Sequence, residues 1–200
     1  MLDGETSREL PQFWSMSARV AFRCLTGHVS DVRSIQLPKM LSARTIFAGK
    51  SNPAVQQPLE MVGLCTRESS EVVGAATRAE VRDRNLPHRL SFCLVLDSEE
   101  SHVLVQKRVA WKETYPSYFD PCPGGVMGPD ESFEGNAIRE LEEEMGIIVG
   151  SALSPEPVEP LFDFWFENDI SRAWGRLFKV NFKGTIDDLR LQVFRLQFCV

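Results

Sequence analysis

The stretch 125–147, GVMGPDESFEGNAIRELEEEMGI, decides the fold and organises the rest of the chain. Gly125 is followed after five residues by Glu131, and seven more lead to Arg139, Glu140 and Leu141, then Glu143, Glu144, Gly146 and Ile147. Nine such positions match by chance with a probability on the order of 10⁻¹⁰ per start point at average residue usage. The stretch has its own helical logic. Ser132 can cap an N-terminus, with Asp130, Glu131 and Glu134 near the positive end of the dipole. Gly146 suits a left-handed C-terminal stop. Between them Phe133, Ala137, Ile138, Leu141 and Met145 fall on one arc of a helical wheel.

Glu140, Glu143 and Glu144 stand at i, i+3 and i+4, so they converge on a second arc beside the apolar one. Three carboxylates within one turn repel each other unless something cationic sits on them. A hard divalent ion such as Mg²⁺ or Mn²⁺ prefers oxygen ligands and usually also holds substrate phosphate. The bland alternative is a solvated acidic helix face. The Gly-Glu-Arg spacing around the cluster argues against it.

The whole pattern resembles the signature of the Nudix hydrolases: G, five residues, E, seven residues, R-E-aliphatic-x-E-E-x-G-aliphatic. The resemblance implies an α/β fold, the α/β/α sandwich with a mixed sheet and one central catalytic helix. It also implies roles. Glu140, Glu143 and Glu144 are the metal ligands and catalytic carboxylates, with Glu143 and Glu144 the essential pair. Arg139 holds the carboxylates in place and pairs with Glu131. Gly125 lets the preceding loop turn close to the site, Gly146 closes the helix, and Glu142 faces solvent.

Two hundred residues suggest one domain with extensions. The apolar share of 43% suffices for a packed core. A net charge of −6 argues against broad nucleic-acid or anionic-membrane binding. No apolar run reaches the roughly 20 residues that span a bilayer. The five cysteines, Cys24, Cys65, Cys93, Cys122 and Cys199, are scattered and odd in number, without C-x-x-C. A zinc site or disulfide framework is not expected, and a reducing compartment fits. Oligomeric state is not readable.

Residues 1–57 read unlike the rest. Pro11, Pro38 and Pro53 interrupt a weak periodicity, and Arg19, Arg23, Arg33, Lys39, Arg44 and Lys50 face one acid, Asp31, between residues 16 and 57. That composition is that of an organellar transit peptide, whereas Asp3, Glu5 and Glu9 oppose it. The expectation is therefore a cytoplasmic protein with a disordered extension. A mitochondrial or plastid destination is the alternative.

The catalytic domain is expected over residues 58–192. Residues 59–65 read as a strand that turns at 68–71 and returns over 72–75. Thr77 and Glu80 have the capping-box pattern for a short helix ending near Asn85. The run LSFCLVL at 90–96 reads as a buried strand, and residues 103–108 as its hairpin partner. A strand starts at 147–149. Residues 162–166 and 174–182 suit an aromatic hairpin turning at 167–169. Strands on both sides of one helix fit a mixed sheet with helices on both faces.

The likeness extends beyond the box. Val72 to Arg78, His88-Arg89, Val105 to Arg108, Lys112, Tyr115-Pro116, Asp120 and Gly124-Gly125 resemble the isopentenyl-diphosphate-isomerase-like branch. This raises double-bond isomerisation as an alternative. The isomerases resembled carry a catalytic Cys in a Cys-Gly-His-Pro run. Here that Cys position holds Gly124, Gly125-Val126-Met127 replaces Gly-His-Pro, and Cys122 lies two residues too early. Hydrolysis of a small-molecule diphosphate is thus the favoured reading. Arg89, Lys107, Arg108 and Lys112 are candidate phosphate contacts, with Arg108 and Lys112 preferred. Trp111, Tyr115 and Trp174 either stack on a base or pack in the core. Relatives continue past Gln192 with a strand and a closing helix, whereas this chain runs VFRLQFCV over 193–200. That tail is atypical, and a non-catalytic or truncated isoform is the third reading.

Overall fold

The computed structural model describes residues 60–108, 110, 116–190 and 196–199; the extension 1–57 lies outside them. The elements in chain order are β1 (Met61–Leu64), β2 (Gly74–Thr77), α1 (Arg78–Asp83), β3 (His88–Leu96), β4 (Val105–Arg108), β5 (Phe119–Asp120), β6 (Gly124–Val126), α2 (Phe133–Met145), β7 (Glu159–Asn168), β8 (Ser171–Asn181) and β9 (Leu196–Cys199). A 3₁₀ turn, Ile186–Asp188, follows β8.

The centre is β3, buried along all nine residues. Its odd positions Cys93 and Val95 face α2, while Leu90, Leu94 and Leu96 pack on the opposite face with Ala173, Leu177 and Cys122. Burial on both faces is why the strand reads as a continuous apolar run rather than an alternating one. It pairs in parallel with β8 from His88↔Ala173 to Leu96↔Asn181. Parallel neighbours need a crossover, and the crossover contains α2. On its other side β3 pairs antiparallel with β1 and β6. The larger sheet runs β2-β1-β3-β8-β7, with β6 also on β3. It is the mixed sheet with a central helix that the sequence implies.

Ser132 Oγ accepts the Gly135 N–H at 3.0 Å, so α2 starts at its expected cap. Such a cap is worth about 1 kcal/mol. Gly146 ends α2 with φ of 69°. Its N–H and that of Ile147 donate to the carbonyls of Glu142 and Leu141, a C-terminal lock that requires the left-handed residue. The apolar arc Phe133, Ala137, Leu141 and Met145 packs on Val95, Phe178 and Val180.

Several expectations change in detail. Residues 147–149 form no strand: the helix-end lock drives Ile147 into the core and leaves Ile148 exposed. Residues 103–108 leave the β3 hairpin after a single bridge, Leu96↔Val103, and β4 joins a second sheet ordered β5-β4-β9. Gln106, 1% exposed within that apolar-looking run, belongs to this second sheet. The tail pairs there as well, with Arg108 opposite Leu196. Thr77 forms the full capping box, but α1 stops at Asp83. The aromatic hairpin β7–β8 holds, and Asn168 Oδ1 closes its turn on the N–H groups of Ile170 and Ser171. Among the described residues α2 covers one face of the sheet, while the cluster around Cys122 lies on the other, where a second helical layer was expected. No described helix is long and apolar enough to cross a membrane.

Candidate active site

The site grows from the junction of β6, the loop 127–132 and α2. Gly125 pairs with Ser91 in the sheet, directly under the first turn of carboxylates. A β-carbon on Gly125 would meet Glu140 Oε1 at 2.2 Å, so the missing side chain leaves the space that the Glu140 carboxylate fills. Glu140 is otherwise buried, at 6% exposure.

Arg139 organises the charge. Its Nε donates to Glu131 Oε1 at 2.9 Å, and its Nη1 lies 3.0 Å from both Glu140 Oε1 and Glu143 Oε2. Partial burial alone would lower the Arg139 pKa, but the Glu131 hydrogen bond and the charges of Glu140, Glu131 and Glu143 hold it raised. Glu131 is anchored in turn. Its Oε2 accepts the Gly128 N–H at 2.7 Å and Asn136 Nδ2 at 2.9 Å. Burial pushes the Glu131 carboxyl up, yet these bonds and Arg139 bring it below its ordinary value.

Two residues complete the scaffold in ways that the motif does not announce. Asn136 is fully buried; its Oδ1 accepts from Ser91 Oγ at 2.6 Å, and its Nδ2 also donates to the Val126 carbonyl. It ties α2 to β3 and β6 from within the apolar arc. Its spacing, four residues from both Ser132 and Glu140, was the available signal. Arg89, a candidate phosphate contact, is instead 8% exposed and donates to the carbonyls of Gly128, Pro129 and Glu131. It clamps the loop. A charged residue inside a strand buried on both faces was the sign of such a structural task.

A cleft of about 340 Å³ opens over this junction. Glu131, Arg139, Glu140 and Glu143 line it from the helix side, and Glu60, just before β1, and Arg78 of α1 line it as well. Glu143 is the open carboxylate, with its side chain 45% exposed. Glu144 does not line the cleft; it is buried at 7%, and its charge, after burial and Glu140, raises the Cys93 thiol. Glu142 is exposed.

The three carboxylates therefore do not meet at one point. No group of three His, Cys, Asp or Glu side chains among the described residues is arranged to hold an ion. The cause is visible: Arg139 Nη1 sits between Glu140 and Glu143 as their shared counter-charge. The donor chemistry nonetheless suits a hard cation, since all three offer carboxylate oxygens and Glu140 is seated in a glycine-made recess.

Of the preferred phosphate contacts, Arg108 is placed by its backbone in the second sheet, and Lys112 lies outside the described residues, as do Trp111 and Tyr115. Trp174 packs: its Nε1 donates to the Thr66 carbonyl and its ring meets Trp165 edge-on.

Comparison with known proteins agrees with this architecture. A family model described as NUDIX domain matches residues 87–190. An uncharacterised Nudix hydrolase of Streptomyces coelicolor is 38% identical over 120 residues, which are 60% of this chain and 63% of that protein. The uncharacterised Nudix hydrolase YfcD of Escherichia coli K12 is 36% identical over 111 residues, 56% of this chain and 58% of its own length. The chain thus spans about three fifths of the length of these curated relatives. A crystal structure from Deinococcus radiodurans matches with a TM-score of 0.54 at 22% identity, covering 68% of this chain and 79% of that one. At that identity the likeness is one of fold.

Proposed function

This chain belongs to the Nudix family, and from that premise we propose that it hydrolyses a diphosphate linkage in a nucleoside-diphosphate-linked or related small molecule, with a divalent metal ion. One observation carries the reading: Glu140 and Glu143 line a common cleft with Arg139, over a glycine that makes room for the first of them.

Of Glu140, Glu143 and Glu144, the two that line the cleft, Glu140 and Glu143, would hold Mg²⁺ or Mn²⁺. Bound there, the ion would supply positive charge for the diphosphate and lower the pKa of an attacking water. The remaining work belongs to the chain. Glu131, fixed by Gly128 and Asn136, positions Arg139. Arg139 bridges Glu140 and Glu143 and offsets their repulsion. Glu143, open to the cleft, takes the proton of the attacking water. The water oxygen bonds to phosphorus as the bridging P–O bond breaks, and the leaving group departs as a phosphate.

The isomerase alternative loses support at its nucleophile. A β-carbon at Gly124 would lie 2.1 Å from the Ser91 carbonyl oxygen, so this backbone has no room for a cysteine there. Cys122 is 2% exposed, and burial pushes its thiol well above the ordinary range. The division into an extension 1–57, a catalytic domain 58–192 and a tail belongs to the same reading, as does a cytoplasmic location.

The test is a panel of diphosphates offered to the purified chain with Mg²⁺, beside Glu143→Gln. Phosphate or nucleoside monophosphate release that disappears in the variant supports hydrolysis. A folded protein that turns over no panel member overturns the reading, and conversion of isopentenyl diphosphate without phosphate release would restore the isomerase.

A further inference from the structure

The cleft contains a cation that the carboxylate cluster does not use. Arg139 is committed on every nitrogen: Nε and Nη2 to Glu131, Nη1 to Glu140 and Glu143. Arg78 lines the same cleft from the first residue of α1. Its Nη1 alone is engaged, held by both oxygens of Glu60 at 2.7 and 2.9 Å. Its Nε and Nη2 have no hydrogen-bond partner among the described residues. The guanidinium side chain is 44% exposed.

This geometry suits an anion. A carboxylate that grips one end of a guanidinium fixes the plane of the fork and leaves the other edge unengaged. That edge presents two parallel N–H donors, the arrangement that meets a phosphate in bidentate fashion. The backbone adds to the fixing, since the Arg78 N–H donates to the Glu60 carbonyl at 2.9 Å and Thr77 caps α1. A bound diphosphate presents ionised oxygens on both of its phosphorus atoms, more than one side of the cleft can meet. A donor outside the carboxylate helix suits it, and α1 supplies Arg78 to the same cleft.

We propose that Arg78 is a substrate-binding residue of this cleft, taking the diphosphate oxygens that face away from the Glu140–Glu143 side, with its fork oriented by Glu60. The role rests on the diphosphohydrolase reading of the same cleft, and it separates recognition from chemistry: Arg78 meets the substrate anion and moves no proton.

The experiment pairs binding with turnover, using the full chain as wild type, Arg78→Ala and Arg78→Lys. Inorganic pyrophosphate with Mg²⁺ is titrated by calorimetry, and KM and kcat are measured on the best diphosphate of the panel. Loss of a charged bidentate contact predicts a rise of about tenfold to a hundredfold in Kd and KM for Arg78→Ala. The kcat stays within about twofold. Arg78→Lys recovers part of the affinity, because it restores the charge and not the fork. Thermal unfolding checks the fold; should Arg78→Ala not fold, Arg78→Lys decides by the same ratio. Unchanged Kd and KM in folded variants overturn the proposal. Weaker pyrophosphate binding in Arg78→Ala, in a chain that turns over no diphosphate, supports this contact while overturning the hydrolase reading. If wild type neither binds pyrophosphate nor turns over, both fall.

Discussion

Gly125 and Glu140 occupy adjoining space so closely that a β-carbon on the first would fall 2.2 Å from a carboxylate oxygen of the second. The glycine is therefore set by the helix above it rather than by its own backbone angles. It lies in β6, paired with Ser91, where many residues are conformationally acceptable. What a side chain there would meet is the carboxylate of Glu140, which it would push from its seat.

Gly125→Ala consequently displaces Glu140 and disturbs its contact with Arg139. Overpacking of this kind costs about 1–3 kcal/mol. A misplacement near 1 Å at a catalytic group costs rate on the order of 100-fold. The expected outcome is a folded protein with diphosphate turnover reduced by that factor. Urea unfolding and steady-state rates on the same preparation check it, and parent-like turnover would show that Glu140 has no fixed place in the reaction.

The Glu131–Arg139 pair predicts an acid limit. The folded Glu131 carboxyl lies below the unfolded value of 4.5. A carboxyl lowered on folding stabilises the protein above its unfolded pKa, and that contribution is lost as pH falls through the folded value. The window therefore opens below about pH 4.5. In urea denaturation from pH 6 to pH 3, wild type should exceed Glu131→Gln in stability at the upper end, and the gap should close as the pH drops. A gap that stays constant would mean that the charge of Glu131 contributes nothing.

What could be read from the sequence was what is local. Ser132, Gly146 and the apolar arc lie within one helix, where spacing alone fixes which residues share a face. Glu131 and Arg139 belong to the same short segment and met as expected. Readings that depended on distant partners fared differently. Arg89 had the charge of a phosphate ligand, but its strand is buried on both faces, and its Nη2 turns to the carbonyls of the loop 128–131. Residues 103–108 alternate well enough for a hairpin partner of β3, yet the choice of β5 and β9 as neighbours is a long-range matter. Arg78 lines the same cleft as Glu140 and Glu143 from some 60 residues away in sequence, and no periodicity connects them.

Asn136 offers a stability test of the scaffold. It satisfies Ser91 Oγ, the Val126 carbonyl and Glu131 Oε2 with no exposure to water. Asn136→Leu leaves the buried Ser91 hydroxyl without this partner and takes one bond each from Val126 and Glu131, and a buried group left unpaired costs about 1–3 kcal/mol. A loss of at least about 2 kcal/mol in chemical denaturation is expected. Little or no loss would imply that the loop and β3 re-pair by themselves.

Cys122 provides the last discrimination between hydrolysis and thiol chemistry. It sits in the cluster with Leu90, Phe92 and Leu177, on the face of the sheet opposite α2. Burial foremost, then the Asp120 charge, keeps its thiol protonated at neutral pH. A protonated thiol is a poor nucleophile and a poor target for alkylation. Iodoacetamide at neutral pH, followed by peptide mass mapping, should leave Cys122 unmodified in the folded protein and label it in urea. Cys122→Ala should turn over diphosphate as the parent does. Gly124→Cys, which drives a β-carbon into the Ser91 carbonyl, should lose about 1–3 kcal/mol of stability or more without gaining isomerase activity. Native-state labelling of Cys122 that abolishes turnover would return the thiol to the centre of the chemistry.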